Sequence, residues 1–478
     1  MGKRNAKKDG SSKRLFVPKM LTWKWVLLTI VVSTMLVSAC SNGDGDLLHT
    51  LVVVWNSRED IDGAGTEEDI FFSRSTDGGA IWSDTQVLNS NAVSDGTSDL
   101  DFFPQTMTDG KGTWVAVWES QADLGGADTD KDIFFSRSAD DGVTWSAPQL
   151  LDPNATSDTD LGWDYQPVVM TDGDGTWVVA WWSWEDFDSA GTDTDILFSR
   201  SIDNGETWSA SQLLDSNATS GNGDDRHPAL MTDGNGTWLV VWASSETFHD
   251  VSNDKDIFIS RSTDSGATWS ASRLLDSNAT IDAGNDNRPV LMTDSNGIWV
   301  TAWFSLDDLG GAGTDKDILF SRSTNDGVDW SAPQLLNSNA ITDGITEDWR
   351  PVLMTDGDGN WVAAWNYWDR TTDVDVFFSR STDGGTSWSN QQALNHNATA
   401  NTGSNERTGN DNRPMVFSYG ADTWITVWQS REDLNGVGTD SDIFYSRSTN
   451  GGVSWNDSQA LNSNAATDTE DDLLGDED

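Results

Sequence analysis

The sequence predicts an all-β protein, a β-propeller of four-stranded antiparallel blades, seven in number with six as the alternative. Three observations lead there. A segment of the form Ser-x-Asp-x-Gly-x-x-Trp recurs seven times, at Ser75–Trp82, Ser138–Trp145, Ser201–Trp208, Ser262–Trp269, Ser323–Trp330, Ser381–Trp388 and Ser448–Trp455. Successive copies lie 63, 63, 61, 61, 58 and 67 residues apart, a period typical of propellers and arrays, whose units bury their sheet faces only against neighbours. Between the copies, short runs of Val, Ile, Phe, Trp and Thr alternate with Asp/Gly turns, and no stretch after the N-terminal apolar run has helical periodicity.

Each unit reads as four strands. The first carries a Pro, as in Arg288-Pro289-Val290-Leu291-Met292. A Thr-Asp-Gly-x-Gly turn such as Thr171–Gly175 leads into a Trp-rich second strand, Trp177–Trp181. The third has the form Asp-Ile-Phe-Phe-Ser-Arg-Ser, as at Asp132–Ser138, and the fourth follows the repeat Trp, as at Gln149–Leu151. The Pro-bearing strand occurs six times, starting at Asp101, Asp164, Asp225, Asp286, Asp348 and Asp411, so the first blade is expected to have three strands of its own. The acidic tail 468–478, with Leu473 and Leu474, is a candidate for a closing strand. The propeller is therefore bounded at 47–467.

The N-terminus reads as an address. A basic stretch (Lys3, Arg4, Lys7, Lys8, Lys13, Arg14, Lys19) precedes an apolar run from Trp25 to Ala39, which is short for a spanning helix and fits a secretion signal. The run ends Val37-Ser38-Ala39-Cys40, which resembles the bacterial lipobox; Cys40 is the only cysteine of the chain. The expectation is a signal peptide over 1–39, lipidation at Cys40, a tether over 40–46, and an exported protein anchored to the cell envelope by lipid. An uncleaved signal anchor is the alternative.

Charge narrows the partners. With 78 acidic against 28 basic residues the net charge is −50, and a polyanion such as nucleic acid gains nothing by docking there. Removing residues 1–39 leaves 20 basic and 77 acidic residues, a balance of −57. A hydrophobic share of 36% with 27 Trp and 17 Phe still supplies a folded core, so the acidity does not imply disorder. One cysteine excludes a disulfide framework. A monomer is expected.

The Ser-x-Asp-x-Gly-x-x-Trp element is similar to the Asp-box, or bacterial neuraminidase repeat, of sialidase-like propellers. Its residues suit a turn: the carboxylates of Asp77, Asp140, Asp203, Asp264 and Asp383 cap backbone N–H groups, Gly permits positive φ, and Trp packs between sheets. Asn325 and Asn450 stand in the Asp position, where an amide oxygen caps equally well. The arginine column Arg74, Arg137, Arg200, Arg261, Arg322, Arg380 and Arg447, present in every unit, reads as structural ion-pair partners.

Function is sought on the opposite face, where strand one begins and strand two leads to strand three; the resemblance implies an active site there. An Asp-x-x-Pro frame recurs six times, and the residue before Pro varies: Phe103, Gln166, His227, Arg288, Arg350 and Arg413. Arginines from successive blades on the innermost strand suit capture of a carboxylate. Sialidases hold the sialic acid carboxylate with three arginines, so the resemblance implies Arg226, Arg288, Arg350 and Arg413 as substrate-binding residues. Neutralisation of Asp286, Asp348 and Asp411 explains the same arginines without a ligand. In one unit, Trp365–Arg370, Tyr367 replaces the usual Ser. Since sialidases use a Tyr nucleophile and an Asp acid/base, the resemblance implies Tyr367 and Asp369 as the catalytic pair, with Trp368 stacking the sugar.

The same loops end in paired acids, among them Asp130/Asp132, Asp193/Asp195 and Asp315/Asp317, which offer hard oxygens to Ca²⁺, but no unit has the spacing of an EF-hand loop, and turn capping and solubility are the simpler explanation. No cofactor is required. Two readings of function stay open. One is an exo-sialidase-like glycoside hydrolase acting on cell-surface or extracellular glycans; the other is a non-catalytic propeller binding glycan or protein at the cell surface. Both take a glycan or other carboxylate-bearing ligand.

Overall fold

Seven four-stranded antiparallel sheets succeed one another along the chain and pack face to face as the blades of a propeller. The computed structural model describes residues 30–32 and most of 50–461; stretches 153–161, 215–222, 247–253, 276–283, 396–409 and several shorter loop segments fall outside the description. Cys40, the tether, the acidic tail and the remainder of the leader are likewise outside it.

Blade 3 is representative: Asp164–Thr171, Trp177–Ser183, Asp195–Ser201 and Gln212–Leu213 run from the innermost to the outermost position. The second strand is buried along its whole length, which is why it reads as an unbroken apolar run rather than an alternation. Two Trp columns, Trp177 and Trp181 with their equivalents in the following blades, are fully buried between sheets. Truncating one such ring to Ala costs about 3–5 kcal/mol.

Blade 1 has three strands from its own repeat, Leu51–Ser57, Asp69–Ser75 and Gln86–Val87. Its innermost position is filled by Ile30–Val32, antiparallel to Leu51–Ser57 with Ile30 opposite Trp55. The expected closing strand in the acidic tail lies outside the described residues; the position is taken instead by apolar residues of the N-terminal run. Blade 1 packs on blade 2 through Val52 and Val54 with Trp114 and Trp118, and on blade 7 through Val53 and Trp55 with Phe417 and Val427. The ring is closed by apolar side chains.

The Asp-box turns staple neighbouring blades on one face. In blade 2, Ser138 Oγ donates to Asp140 Oδ1 at 2.8 Å, and the Thr144 N–H donates to the same oxygen at 2.9 Å. Asn325 and Asn450 accept in the same way, at 2.9 Å from Asp329 N and 3.0 Å from Ser454 N, so the amide oxygen does replace the carboxylate. These hydrogen bonds hold the carboxyls of Asp264 and Asp383 down to about 2. Box tryptophans meet the preceding blade edge-on, as Trp208 does Phe135 with centroids 5.8 Å apart. At Gly205, φ is +75° and a Cβ would lie 2.7 Å from Val115 of the preceding blade, so only glycine fits. The arginine column works differently from expectation: Arg137 Nε donates to the Asn204 carbonyl and Arg200 Nε to the Ser265 carbonyl, each in the next blade's box. Arg74, Arg261 and Arg322 likewise donate to backbone carbonyls of the next blade, while Arg380 Nη2 donates to the Asn360 side chain.

Candidate functional site at the strand-one face

Asp141 N donates to Gly112 O, so the box turn and the turn between strands one and two share a face. The Trp184 N–H donates to Trp163 O, which puts the end of strand two beside the start of strand one on the opposite face. There the innermost strands share one irregularity. Pairing with strand two slips by one residue in every Pro-bearing strand, between Phe102 and Gln105 in blade 2 and at the matching place in the other five. The residue before Pro sits inside the slip with positive φ: Phe103 49°, Gln166 48°, His227 57°, Arg288 50°, Arg350 54° and Arg413 54°. A non-glycine residue in that region, ahead of a proline, is strained, and such bulges re-aim side chains near binding sites. The six variable residues that precede Pro are therefore the six that the backbone redirects.

Two of the frame aspartates, Asp348 and Asp411, accept hydrogen bonds from groups other than these arginines. Asp348 accepts from Asn337 Nδ2 at 2.9 Å and from Trp365 Nε1; Asp411 accepts from Asn395 Nδ2 at 2.6 Å and Trp428 Nε1 at 2.8 Å. Basic groups meanwhile gather across blades 4 and 5. Burial, then the charges of Arg288 and Lys255, push His227 well below its usual range, so it stays neutral at physiological pH. Burial and the nearby guanidinium of Arg226 lower Lys255, with Arg288 adding to the effect against Asp224. Arg226 itself ion-pairs with Asp224 at 2.9 Å and lies over Trp182, placing it beside blade 3.

Three further columns on this face also vary while their surroundings stay constant. They are the second residue of the Asp-x-x-Pro frame (Phe102, Tyr165, Arg226, Asn287, Trp349, Asn412), the residue after the second Trp of strand two, and the residue before strand three. Lys131 in the last column ion-pairs with buried Glu119 at 2.7 Å and lies 4.6 Å from the Tyr165 ring; Lys316 lies 5.4 Å from the Phe304 ring. Variation inside a fixed frame is the sequence signal that finds them.

Tyr367 pairs across the sheet with Asp348 on one side and Asp375 on the other, and its ring packs on Phe377 at 4.3 Å. Burial raises the Asp375 carboxyl to about 7, and the charges of Asp373, Glu432 and Asp369 add to that. Asp375 therefore stands in register with Tyr367, and Asp369 contributes as one of several acids around it. Arg370 and Lys316 both pair with Glu347 beside this cluster. Trp368 ends the same strand, half-buried.

The paired acids are more buried than turn capping or solubility requires. Asp130, Asp132, Asp195 and Asp317 are nearly inaccessible, Asp315 is buried, and Asp193 is partly so. Among the described residues, no group of three or more His, Cys, Asp or Glu side chains is arranged to hold a metal ion. Asp317 is instead bridged to Asp348 by the Asn337 amide, as Asp69 is to Asp101 by Asn89.

Seven Asp-box blades with a variable, cation-bearing face opposite the boxes define a sialidase-like propeller. The chain belongs to the BNR repeat-like domain family, which matches residues 49–297. A sialidase of Bacteroides fragilis (strain YCH46) is 29% identical over 197 residues, covering 35% of this chain and 35% of that protein. This chain thus matches about a third of that relative's length. Among solved structures, the Hadza microbial sialidase Hz136 is 17% identical with a TM-score of 0.42, covering 71% of this chain and 63% of that one. An α-L-arabinanase of Penicillium chrysogenum, complexed with arabinobiose, is 16% identical with a TM-score of 0.45, covering 72% and 92%.

Proposed function

We propose that this propeller takes a carboxylate-bearing glycan at the mouth ringed by Arg288, Arg350 and Arg413, and that it is exported and held at the cell envelope through a lipid on Cys40, a processing step that would remove Ile30–Val32 and leave blade 1 with the three strands of its own repeat. The observation that carries the reading is the set of three arginines in successive blades, each redirected by the same bulge on the innermost strand. On a body of net charge −57, an anionic ligand is repelled except where several arginines outweigh the acids around them. The finer reading is glycoside hydrolysis. Tyr367 would attack the anomeric carbon as its phenolic proton passes to a neighbouring carboxylate, and a protonated acid would give its proton to the departing oxygen. Asp375, with its carboxyl raised to about 7, suits the second role. A non-catalytic binding propeller is the competing reading, favoured by the packing of Tyr367 on Phe377. The test is turnover of fluorogenic sialosides and uronides by the exported domain. Hydrolysis lost in Tyr367→Phe and Asp375→Asn supports the enzyme; saturable binding without hydrolysis supports the binder.

A further inference from the structure

Blade 3 departs from its six siblings in a way the arginine ring does not explain. Four of its outward positions on the strand-one face are aromatic: Trp163 and Tyr165 at the start of the first strand, Trp182 and Trp184 at the end of the second. No other unit fills all four. Alternate residues of a strand share a face, and Tyr165 is in register with Trp182, so the four rings form a two-by-two array. Tyr165 stacks on Trp182 with centroids 4.2 Å apart and planes 14° from parallel, and Trp163 follows at 6.1 Å from Tyr165. Trp163 and Trp184 are each 38% exposed, an unusual pair to leave in water on one small patch.

Two cations flank the rings. Lys131 of blade 2 lies 4.6 Å from Tyr165; Arg226 of blade 4 lies 5.2 Å from Trp182 and 5.6 Å from Trp184. Each has a carboxylate partner, Glu119 at 2.7 Å and Asp224 at 2.9 Å. The cations therefore brace the rings while adding little net charge. What this surface offers is flat, rigid, electron-rich faces bordered by hydrogen-bonding groups, matched to the apolar C–H face and hydroxyl rim of a pyranose. An anion would find its countercharge already taken.

We infer that the Trp163–Tyr165–Trp182–Trp184 array is a subsite that stacks neutral pyranose units of an oligosaccharide. The inference deepens the proposed function and rests on it in one respect: the stacked units would belong to the glycan whose charged residue reaches the arginine ring. The array can be tested separately. Wild type, Trp184→Ala, Trp163→Ala and Arg350→Ala are titrated calorimetrically with neutral glucose-, galactose-, xylose- and N-acetylglucosamine-based tetrasaccharides, and with free sialic acid. Both tryptophans are surface residues, so the variants fold, which thermal melting verifies. The expected result is binding of at least one neutral tetrasaccharide, weakened about tenfold by Trp184→Ala or Trp163→Ala, with Arg350→Ala reporting on the arginine ring through its loss of free sialic acid binding. Failure of every tetrasaccharide to bind wild type, or equal binding by both Trp variants, overturns the subsite. Trp-dependent tetrasaccharide binding without any sialic acid binding upholds the subsite and removes the arginine-ring reading.

Discussion

Replacing Asp152 by Asn should stabilise the protein, and the gain should grow with pH. At three blade junctions the second residue after the outer strand is an amide that donates to two buried aspartates. Asn89 Nδ2 reaches Asp69 at 2.9 Å and Asp101 at 2.6 Å; Asn337 and Asn395 bridge Asp317 to Asp348 and Asp375 to Asp411. At the junction of blades 2 and 3 the same position is Asp152, placing a carboxylate between Asp132 and Asp164, all three nearly inaccessible. Burial, then Glu185, Asp132 and Asp152, push Asp164 well above the usual carboxylate range, and its Oδ1 lacks a hydrogen-bond donor. Asp164 thus folds best protonated: its contribution is complete at low pH and is lost as pH climbs above the ordinary carboxylate range. An Asn at 152 supplies two donors to charged acceptors, each worth about 1.5–3 kcal/mol, and removes one of the charges that raise Asp164. Protonation already relieves part of this in wild type, so a net gain of about 1–3 kcal/mol at pH 8 is reasonable. In thermal melts this is a rise of at least about 2 °C, shrinking toward pH 5. Loss of stability in the variant would refute the reasoning. So would a Ca²⁺-dependent rise in wild type that the variant lacks, which would put a cation among these acids.

Asp383→Ala removes the acceptor that closes its box turn and should lower stability by about 1–2 kcal/mol in denaturant melts, leaving intrinsic glycan affinity unchanged. Gly205→Ala should cost more, since its Cβ meets Val115 at positive φ. Because Asp375 keeps its proton up to about pH 7, hydrolysis that uses it as the acid should fall as pH rises through that value, and the pH–rate profile should lose this limb in Asp375→Asn. Cys40→Ser should release the protein from membranes on fractionation and abolish lipid labelling; retention would favour a signal anchor.

The repeat made the propeller legible because turn chemistry, apolar strands and period all point the same way in every unit. The inner strand of blade 1 was not, since Ile30–Val32 belongs to a run whose basic flank reads as a leader. Sequence showed that the residue before Pro varies, but not that a bulge forces it to positive φ; that follows from strand pairing. Tyr367 stood out as a replaced Ser. Its neighbour Asp375 did not, because it fills a column repeated and buried in every unit, and what sets it apart is the Tyr paired opposite it where the other units have Ser. The arginine column likewise looked ionic, whereas Arg74, Arg137, Arg200, Arg261 and Arg322 donate to backbone carbonyls of the next blade. The aromatic array was present in the sequence as four columns, but only pairing brings strands one and two into one surface.

The central claim is that the redirected arginines form an anion-binding mouth, and calorimetric titration of sialyllactose against lactose tests it most directly. Wild type should prefer the acidic sugar, and Arg350→Ala or Arg413→Ala should each lower that affinity about ten- to a hundredfold, the cost of one charge-assisted pair. The preference should hold from pH 8 to pH 6.5, since neutral His227 adds no charge there. Equal affinity for the two sugars in wild type, or unchanged binding in both variants, would contradict the account and leave the arginines a structural role.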